Sequence, residues 1–597
     1  MRVAFQTALL SCEPIFVPKL RRSSYPHPNL PISWFPTKTR VFYPCRAIMA
    51  VPSRPTVPVR DNVELNETEK KIFDRLLGTV RHFGLQNQLR VAGGWVRDKL
   101  LGKDCYDIDI ALDNMLGSEF VEKVRDYLLH VGEEAQGIAV IPWYVALPLS
   151  IYVHLSRVHL SVFFCCCSNP EQSKHLETAR MRICDTWIDF VNLRCEEYCE
   201  NSRIPTVQKY GTAEEDAYRR DLTINSLFYN INTSSIEDYT KRGIADLKSG
   251  KIVTPLPPKS TFMDDPLRVL RAIRFGARFG FILDEELKEA ASCDEVKAAL
   301  SAKISRERIG TEIDLMISGN QPVQAMTYIC DLKLFWVVFS LHPKYEPAVP
   351  EGCDRLCVAY LDATWNLIQL IGNSTFNDEQ RRLALYTAMF LPLRKTMYKD
   401  NKAKKIPVVN YIFRDSLKRK VSDAETVINV HYAFEKFLPL IPYFASNEDV
   451  LLTEVDWERE FVDVPLASKP RVLTGFLLRE LKDFWRVALL MSTLVYPRNI
   501  DCTEDLLNKN FELERRRSLF KAAEDAVLKL GLDKIWDIKP LVNGRDIMNV
   551  LQLKSGGPLV REWQQKILAW QLARPSATAE ECLEWMRETH SKRLRME

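Results

Sequence analysis

Residues 89 to 112 read LRVAGGWVRDKLLGKDCYDIDIAL. Two short apolar runs, LRVA and DIDIAL, flank a Gly-Gly turn and a stretch with helical spacing, so the segment predicts strand, helix start and strand. The second run carries Asp107 and Asp109 two positions apart. Alternate strand residues share a face, which sets both carboxylates on one side, about 7 Å apart along the chain. Hard oxygen ligands so placed suit Mg2+, and two such ions can activate an attacking hydroxyl and stabilise a leaving pyrophosphate. Alternating acids are commonplace on edge strands, so the pair by itself is not specific. Gly93 and Gly94 add to it, because they let backbone approach a phosphate at a helix start, and Arg97 supplies a cation nearby. A third strand-like run, WIDFVNLR, offers Asp189, either as a third carboxylate of the set or as an ordinary strand acid.

From about Leu65 to Ile231 such strand-like runs alternate with helical stretches, which predicts a small α/β or α+β domain. Beyond residue 260 the pattern turns almost wholly helical, as in DEQRRLALYTAMFL (378–391) and PLVREWQQKILAWQL (558–572). Within this part, DDPLRVLRAIRFGARF (264–279) carries Arg268, Arg271, Arg274 and Arg278. On a helix these fall within an arc of about 120°, with Val269, Leu270, Ile273, Gly276 and Ala277 opposite. One face is core and the other cationic.

At 597 residues the chain is too long for one hydrophobic core, and three or four domains are expected. Hydrophobic content of 46% and charged content of 27% describe an ordinary globular protein. A net charge of +4 is too small to argue for nucleic acid, so an RNA surface must come from local clustering. Fifteen cysteines occur without a repeated CxxC pair, which argues against a zinc site or a disulfide framework and for a reducing compartment. The first sixty residues hold nine Lys/Arg and one acid, Glu13, the composition of an organelle transit peptide. Met49 offers a second start, and with it a cytosolic or nuclear form.

Two further stretches stand out. Residues 143–167, WYVALPLSIYVHLSRVHLSVFFCCC, are apolar, but Pro148, His154, Arg157 and His159 interrupt the ~20 apolar residues a membrane helix needs. Trp-Tyr-Val can be encoded with a donor-like GTATGT, and Phe-Phe-Cys-Cys-Cys-Ser with a T-rich acceptor-like tract; the segment reads as a retained intron translated in frame. Residues 394–420 carry ten Lys/Arg against Asp400 and Asp415, and read as a solvated linker or loop or as a contact for RNA.

LRVAGGWVRDKLLGKDCYDIDIAL, DAYRRDLTINSLFYN, GIADLKSGKI, DDPLRVLRAIRF and SRERIGTEIDLM, in that order, resemble the five motifs of the class II tRNA nucleotidyltransferases, the CCA-adding enzymes of the polymerase-β-like superfamily. With its basic leader the chain is similar to a eukaryotic, plant-like, organelle-targeted form. The similarity covers about residues 65–320, and NGRDIMNVLQLKSGGPLVREW resembles the family's tail. It implies an α+β fold: a nucleotidyltransferase head with a mixed sheet (65–235), then an all-α neck (236–330), body (331–450) and tail (451–597) behind a transit peptide (1–60). It implies template-independent addition of C, C and A to tRNA with CTP and ATP as substrates. Asp107 and Asp109 would hold Mg2+ with Asp189 beside them. Asp221 would meet a sugar hydroxyl and Arg219 and Arg220 the triphosphate, within a motif that also holds Asp216; Asn225 is structural or ribose-proximal. The body and tail would grip the acceptor and T arms of tRNA. Lys241 stands where the family's flexible motif usually has glycine, which counts against mobility there.

Asp265 and Arg268 form an acceptor and donor at i,i+3 near a helix start. Cytosine and adenine each present an exocyclic amine beside a ring-nitrogen acceptor, whereas uracil and guanine present the reverse. A fixed acceptor–donor pair thus admits C and A, and penalises U and G by about 1–3 kcal/mol per unmatched group. Asp264 reads as a helix-start acid; Arg271, Arg274 and Arg278 neutralise phosphate or pair with neighbouring acids. The same motifs suit a bacterial-type poly(A) polymerase, a partial CC- or A-adding enzyme, or an isoform that only binds tRNA because 143–167 abuts the loop before the third strand.

Overall fold

The structure, a computed structural model, describes residues 58–133, 136–141, 178–197, 207–372, 374–446, 464–497, 506–507 and 512–596. The leader up to residue 57 with Met49, the stretch 143–167 and the loop 168–177 after it lie outside the described residues.

The first helix, α1 (Glu67–His82), opens on a capping box in which Asn66 and Glu69 each accept the other's backbone N–H at 2.8 Å. Strand β1 (Leu89–Ala92) is buried at all four positions, as its apolar run requires, and ends at Gly93, from which the short helix α2 (Gly94–Leu100) starts. Then follow β2 (Ile108–Leu112), α3 (Gly117–His130), β3 (Gln136–Ile141), β4 (Thr178–Ile183), β5 (Thr186–Asn192), α4 (Ala213–Tyr218), β6 (Phe228–Asn230) and β7 (Ser235–Glu237). The seven strands form one mixed sheet in the order β3-β4-β5-β2-β1-β6-β7. Only β2 and β5 run parallel, with Asp109 beside Asp189; the other pairs are antiparallel. Helix α3 packs on α1 and on β4 and β5, with the Phe120 and Phe190 rings 5.6 Å apart.

The remainder is mostly helical. Helix α5 (Leu267–Phe279) buries Val269, Leu270, Ile273, Gly276 and Ala277, the face its spacing predicts, and packs on α6 (Arg306–Ile317). The helices Asp378–Met389 and Pro558–Ala573 fall where their periodicity places them. One apolar core runs from Ile72 through α5 to Val427. A second gathers Leu367, Phe434, Trp485 and Phe520, and a third surrounds Trp563, Trp570 and Met586. Among the described residues no helix is long and apolar enough to cross a membrane.

Three expectations are corrected here. The strand starts at Ile108, so Asp107 precedes it. Asp264 closes the helix Pro258–Asp264 instead of opening the next one, because Asp265 is extended (φ −133°, ψ 98°) and Pro266 is the N-cap of the new helix. The run 394–420 is ordered: it forms a β-hairpin followed by a helical segment.

Candidate active site

Three carboxylates converge where the start of β2 lies beside the middle of β5. Asp107, Asp109 and Asp189 each place a ligand oxygen within 4.8 Å of the others. The parallel register brings this about, since residues 80 positions apart become neighbours across two strands. Burial, then the negative charges of Asp107 and Asp189, push Asp109 up to about 6, against the opposing pull of Arg220 and Arg180. Asp189 is likewise raised by burial, although Arg180 Nε lies 2.6 Å from its Oδ1. Like charges this close, one exposed and two half-buried, repel unless a cation joins them, so the donor set fits a divalent oxygen-binding metal. This is the one cluster of its kind among the described residues.

The trio opens into a cleft of about 1110 Å3, and every candidate residue except Gly93 and Asp216 lines it. Asp216 works from beneath. Its carboxylate is 2% exposed; Oδ1 accepts from Arg219 Nε at 2.9 Å, and Oδ2 from Arg220 Nε and Nη2 at 3.0 and 2.9 Å. Burial would raise Asp216, but Arg220 and Arg219 outweigh it and hold it ionised, below its ordinary value. Two guanidinium groups are thereby aimed at the cleft by one buried acid.

Gly93 adopts φ +63°, and a Cβ there would stand 2.6 Å from Arg220 Nη1 and 2.9 Å from the Asn225 carbonyl. Its own N–H donates to Leu227 O at 2.8 Å, so here glycine admits an arginine where a phosphate approach was expected. Gly94 meets only an ordinary contact, Arg97 Nη2 at 3.6 Å. Arg97 lines the cleft but is only 3% exposed, bonded to Asp98 (2.8 Å) and to the Asn225 side chain, and faces the Phe275 and Phe279 rings at 5.0 and 4.7 Å. These contacts tie α2 to α5.

Asp221 is buried and held at about 2: burial pushes it up, but Arg271 and the Asn225 side-chain hydrogen bond pull it further down. Arg271 Nε donates to it at 2.7 Å and Asn225 Nδ2 at 3.0 Å, while Asn225 also lines the cleft. Arg274 Nε donates to Glu312 at 2.6 Å and Arg278 lies 3.6 Å from Asp98. On α5, then, these three arginines pair with acids. Asp265 Oδ1 accepts the Leu267 N–H at 3.1 Å while Oδ2 meets Arg308 Nη2 at 3.3 Å. Arg268 Nη2 donates to the Arg219 carbonyl at 2.6 Å. Both side chains face the cleft, each steadied by a partner other than its neighbour.

Arg308, Glu312 and Arg180 were not singled out from sequence. Arg308 and Glu312 stand i,i+4 on α6, a spacing that puts them on one face; that was the available signal. Lys241 takes φ +57°, in a turn where Thr240 Oγ1 accepts from Gly243 N at 3.2 Å. The left-handed position that glycine would fill is kept with a lysine in it.

The family described as the Poly A polymerase head domain matches residues 89–145 and 147–253. The tRNA nucleotidyltransferase cca2 of Schizosaccharomyces pombe is 32% identical over 538 residues, 88% of this chain and 98% of its own. The mitochondrial CCA tRNA nucleotidyltransferase of Saccharomyces cerevisiae is 32% identical over 539 residues, 85% of this chain and 88% of its own. In fold, the chain is similar to the Bacillus stearothermophilus CCA-adding enzyme solved with CTP: TM-score 0.54 at 18% identity, over 89% of this chain and 100% of that one. A mixed sheet with a carboxylate trio on adjacent parallel strands, followed by a helical remainder, is the arrangement of a nucleotidyltransferase. This chain belongs to the class II CCA-adding tRNA nucleotidyltransferases.

Proposed function

We propose that this chain adds C, C and A in turn to the 3′ end of tRNA, using CTP and ATP and releasing pyrophosphate, with its own side chains choosing the base. The observation that carries this reading is one cleft lined by the carboxylate trio, by Arg219 and Arg220, and by Asp265 and Arg268. Asp107 and Asp109, with Asp189 beside them, hold Mg2+, which when bound supplies activation of the tRNA hydroxyl and neutralisation of the leaving pyrophosphate. Arg219 and Arg220, steered by Asp216, bind the triphosphate. Asp265 accepts from the exocyclic amine of the base and Arg268 donates to its ring nitrogen, so the protein stands in for a template. Arg308 and the Arg219 carbonyl hold the two side chains in place while the base is absent, a preorganisation that lowers the entropy lost on binding.

Arg268→Ala tests the base-choice role. Products from tRNA lacking CCA, incubated with each nucleotide alone, should include UTP and GTP addition in the variant and not in the wild type. Retained CTP and ATP selectivity in the variant contradicts the role. Sizing products with CTP, ATP or both separates complete CCA addition from CC addition, A addition or a poly(A) ladder. The same assay on a protein lacking 143–167 tests whether that stretch impairs terminal A addition; identical CCA products from both forms dismiss the impairment. Residues 1–60 are read as a leader for the mitochondrion or chloroplast. Their basic composition and the mitochondrial yeast relative support the first. A reporter fused to them that stays in the cytosol removes the reading.

A further inference from the structure

The basic run 394–420 contains a hairpin whose lysines form no ion pair with another described residue. Strand β9 (Met397–Lys399) pairs with β8 (Tyr345–Glu346) on one side and β10 (Lys405–Pro407) on the other. Asp400 fixes the turn: its carboxylate accepts from the Lys402 and Lys404 amides at 2.9 and 2.8 Å, and its own N–H donates to the Lys404 carbonyl at 3.0 Å. Tyr398 fixes the root, buried and stacked on His342 with ring centres 4.6 Å apart. The hairpin thus presents Lys399, Lys402, Lys404 and Lys405, all exposed, with Lys395 exposed just before it. None of the five forms an ion pair with another described residue. Asp415 is taken up by Arg414 and Lys418.

Edge strands carry Lys and Pro to block unwanted pairing, and that accounts for Lys405 and Pro407 on β10. It does not account for Lys399 on the inner strand, nor for Lys402 and Lys404 in the turn. Like charges crowded on a rigid element repel one another, and a polyanion relieves that repulsion. The same run leads back to the chemistry, for Arg419 lines the catalytic cleft and donates to Thr311 Oγ1 at 3.1 Å.

From this cluster of exposed, unpaired lysines on one hairpin, the geometry points to residues 397–407 as a docking surface for the tRNA phosphate backbone, in addition to the cleft. The inference rests on the tRNA reading above. Lysines are flexible point charges that meet phosphates without reading sequence, which suits an enzyme that must accept tRNAs of many sequences.

The test uses the full chain with Lys399, Lys402, Lys404 and Lys405 all changed to Gln, and a second form with all four changed to Arg. Filter retention of tRNA lacking CCA and initial rates with CTP and ATP are followed from about 50 to 200 mM salt. Each lost phosphate contact lowers the slope of log affinity against log salt by about 0.7–0.9. The Gln form should therefore lose about 3 to 3.6 in slope and about tenfold or more in affinity near 0.15 M salt, the loss falling on KM for tRNA and not on KM for CTP. The Arg form should keep the wild-type slope. Wild-type slope and KM in the Gln form overturn the proposal. If wild-type protein retains tRNA yet adds no CCA, the functional reading fails, while the slope comparison still decides the hairpin.

Discussion

A methyl group at position 93 has nowhere to go. Gly93→Ala forces a left-handed residue to carry a Cβ and pushes that Cβ onto Arg220 and the Asn225 carbonyl. Strain of about 1–3 kcal/mol is expected, read as a lower thermal midpoint. Because Arg220 is displaced, KM should rise for CTP and ATP together with base choice intact; Gly94→Ala, facing only a 3.6 Å contact, is the control. Asp107→Asn should abolish C and A addition alike, since both draw on the same carboxylates; residual A addition alone would argue for separate sites. His431 bears on stability. Burial, opposed by its hydrogen bond with the Thr387 carbonyl and aided by Arg394, holds its imidazole down at about 4 from an ordinary 6.5. The unfolded chain takes up that proton first as the pH falls. The stabilisation is therefore complete above about 6.5 and lost towards pH 4, amounting to about 3 kcal/mol. His431→Gln should show a smaller fall in thermal midpoint between pH 7 and 4.5 than the wild type; equal falls contradict this.

Among elements, α6 decides how rigidly α5 is held. Arg308 reaches Asp265 and Glu312 reaches Arg274 from this one helix, and Gly310 lets it approach the chain at Leu417. A Cβ on Gly310 would stand 1.7 Å from the Leu417 carbonyl oxygen, which is backbone and cannot swing aside. Gly310→Ala is thus expected to cost about 3 kcal/mol, the upper end of overpacking penalties, read from the urea midpoint. By shifting Arg308 it should also blur the choice between CTP and UTP. A stable, fully selective variant would mean that α6 does not position the base-reading pair. The faces of α5 were legible in sequence because a 3.6-residue period fixes which side chains share a side. Which acid each arginine meets was not, since Glu312, Asp221 and Asp98 reach α5 from elsewhere in the chain.

At the scale of the molecule, the core from Ile72 to Val427 joins the sheet to the helices that carry Asp265 and Arg268. The end of the cleft with the carboxylate trio and the end with Asp265 and Arg268 are therefore parts of one packed body. Arg97 shows what this does to a local reading: a Gly-Gly-x-x-Arg segment suggests a phosphate cation, and the fold sets that cation at the cleft against the Phe275 and Phe279 rings. The basic run 394–420 went the other way, from a solvated loop to an ordered hairpin, because Tyr398 and its ring partners anchor it.

By itself the sequence determined the strands around the Gly-Gly turn, the paired acids, the amphipathic arginine helix and the ordered motifs that carry the family. All of these are local patterns, set by backbone periodicity and residue chemistry over a few turns of chain. Only the tertiary structure decided that Asp189 joins Asp107 and Asp109, that Asp216 aims two arginines, and that Arg308 steadies Asp265. Those are pairings between residues far apart in sequence, and strand order and helix packing choose them.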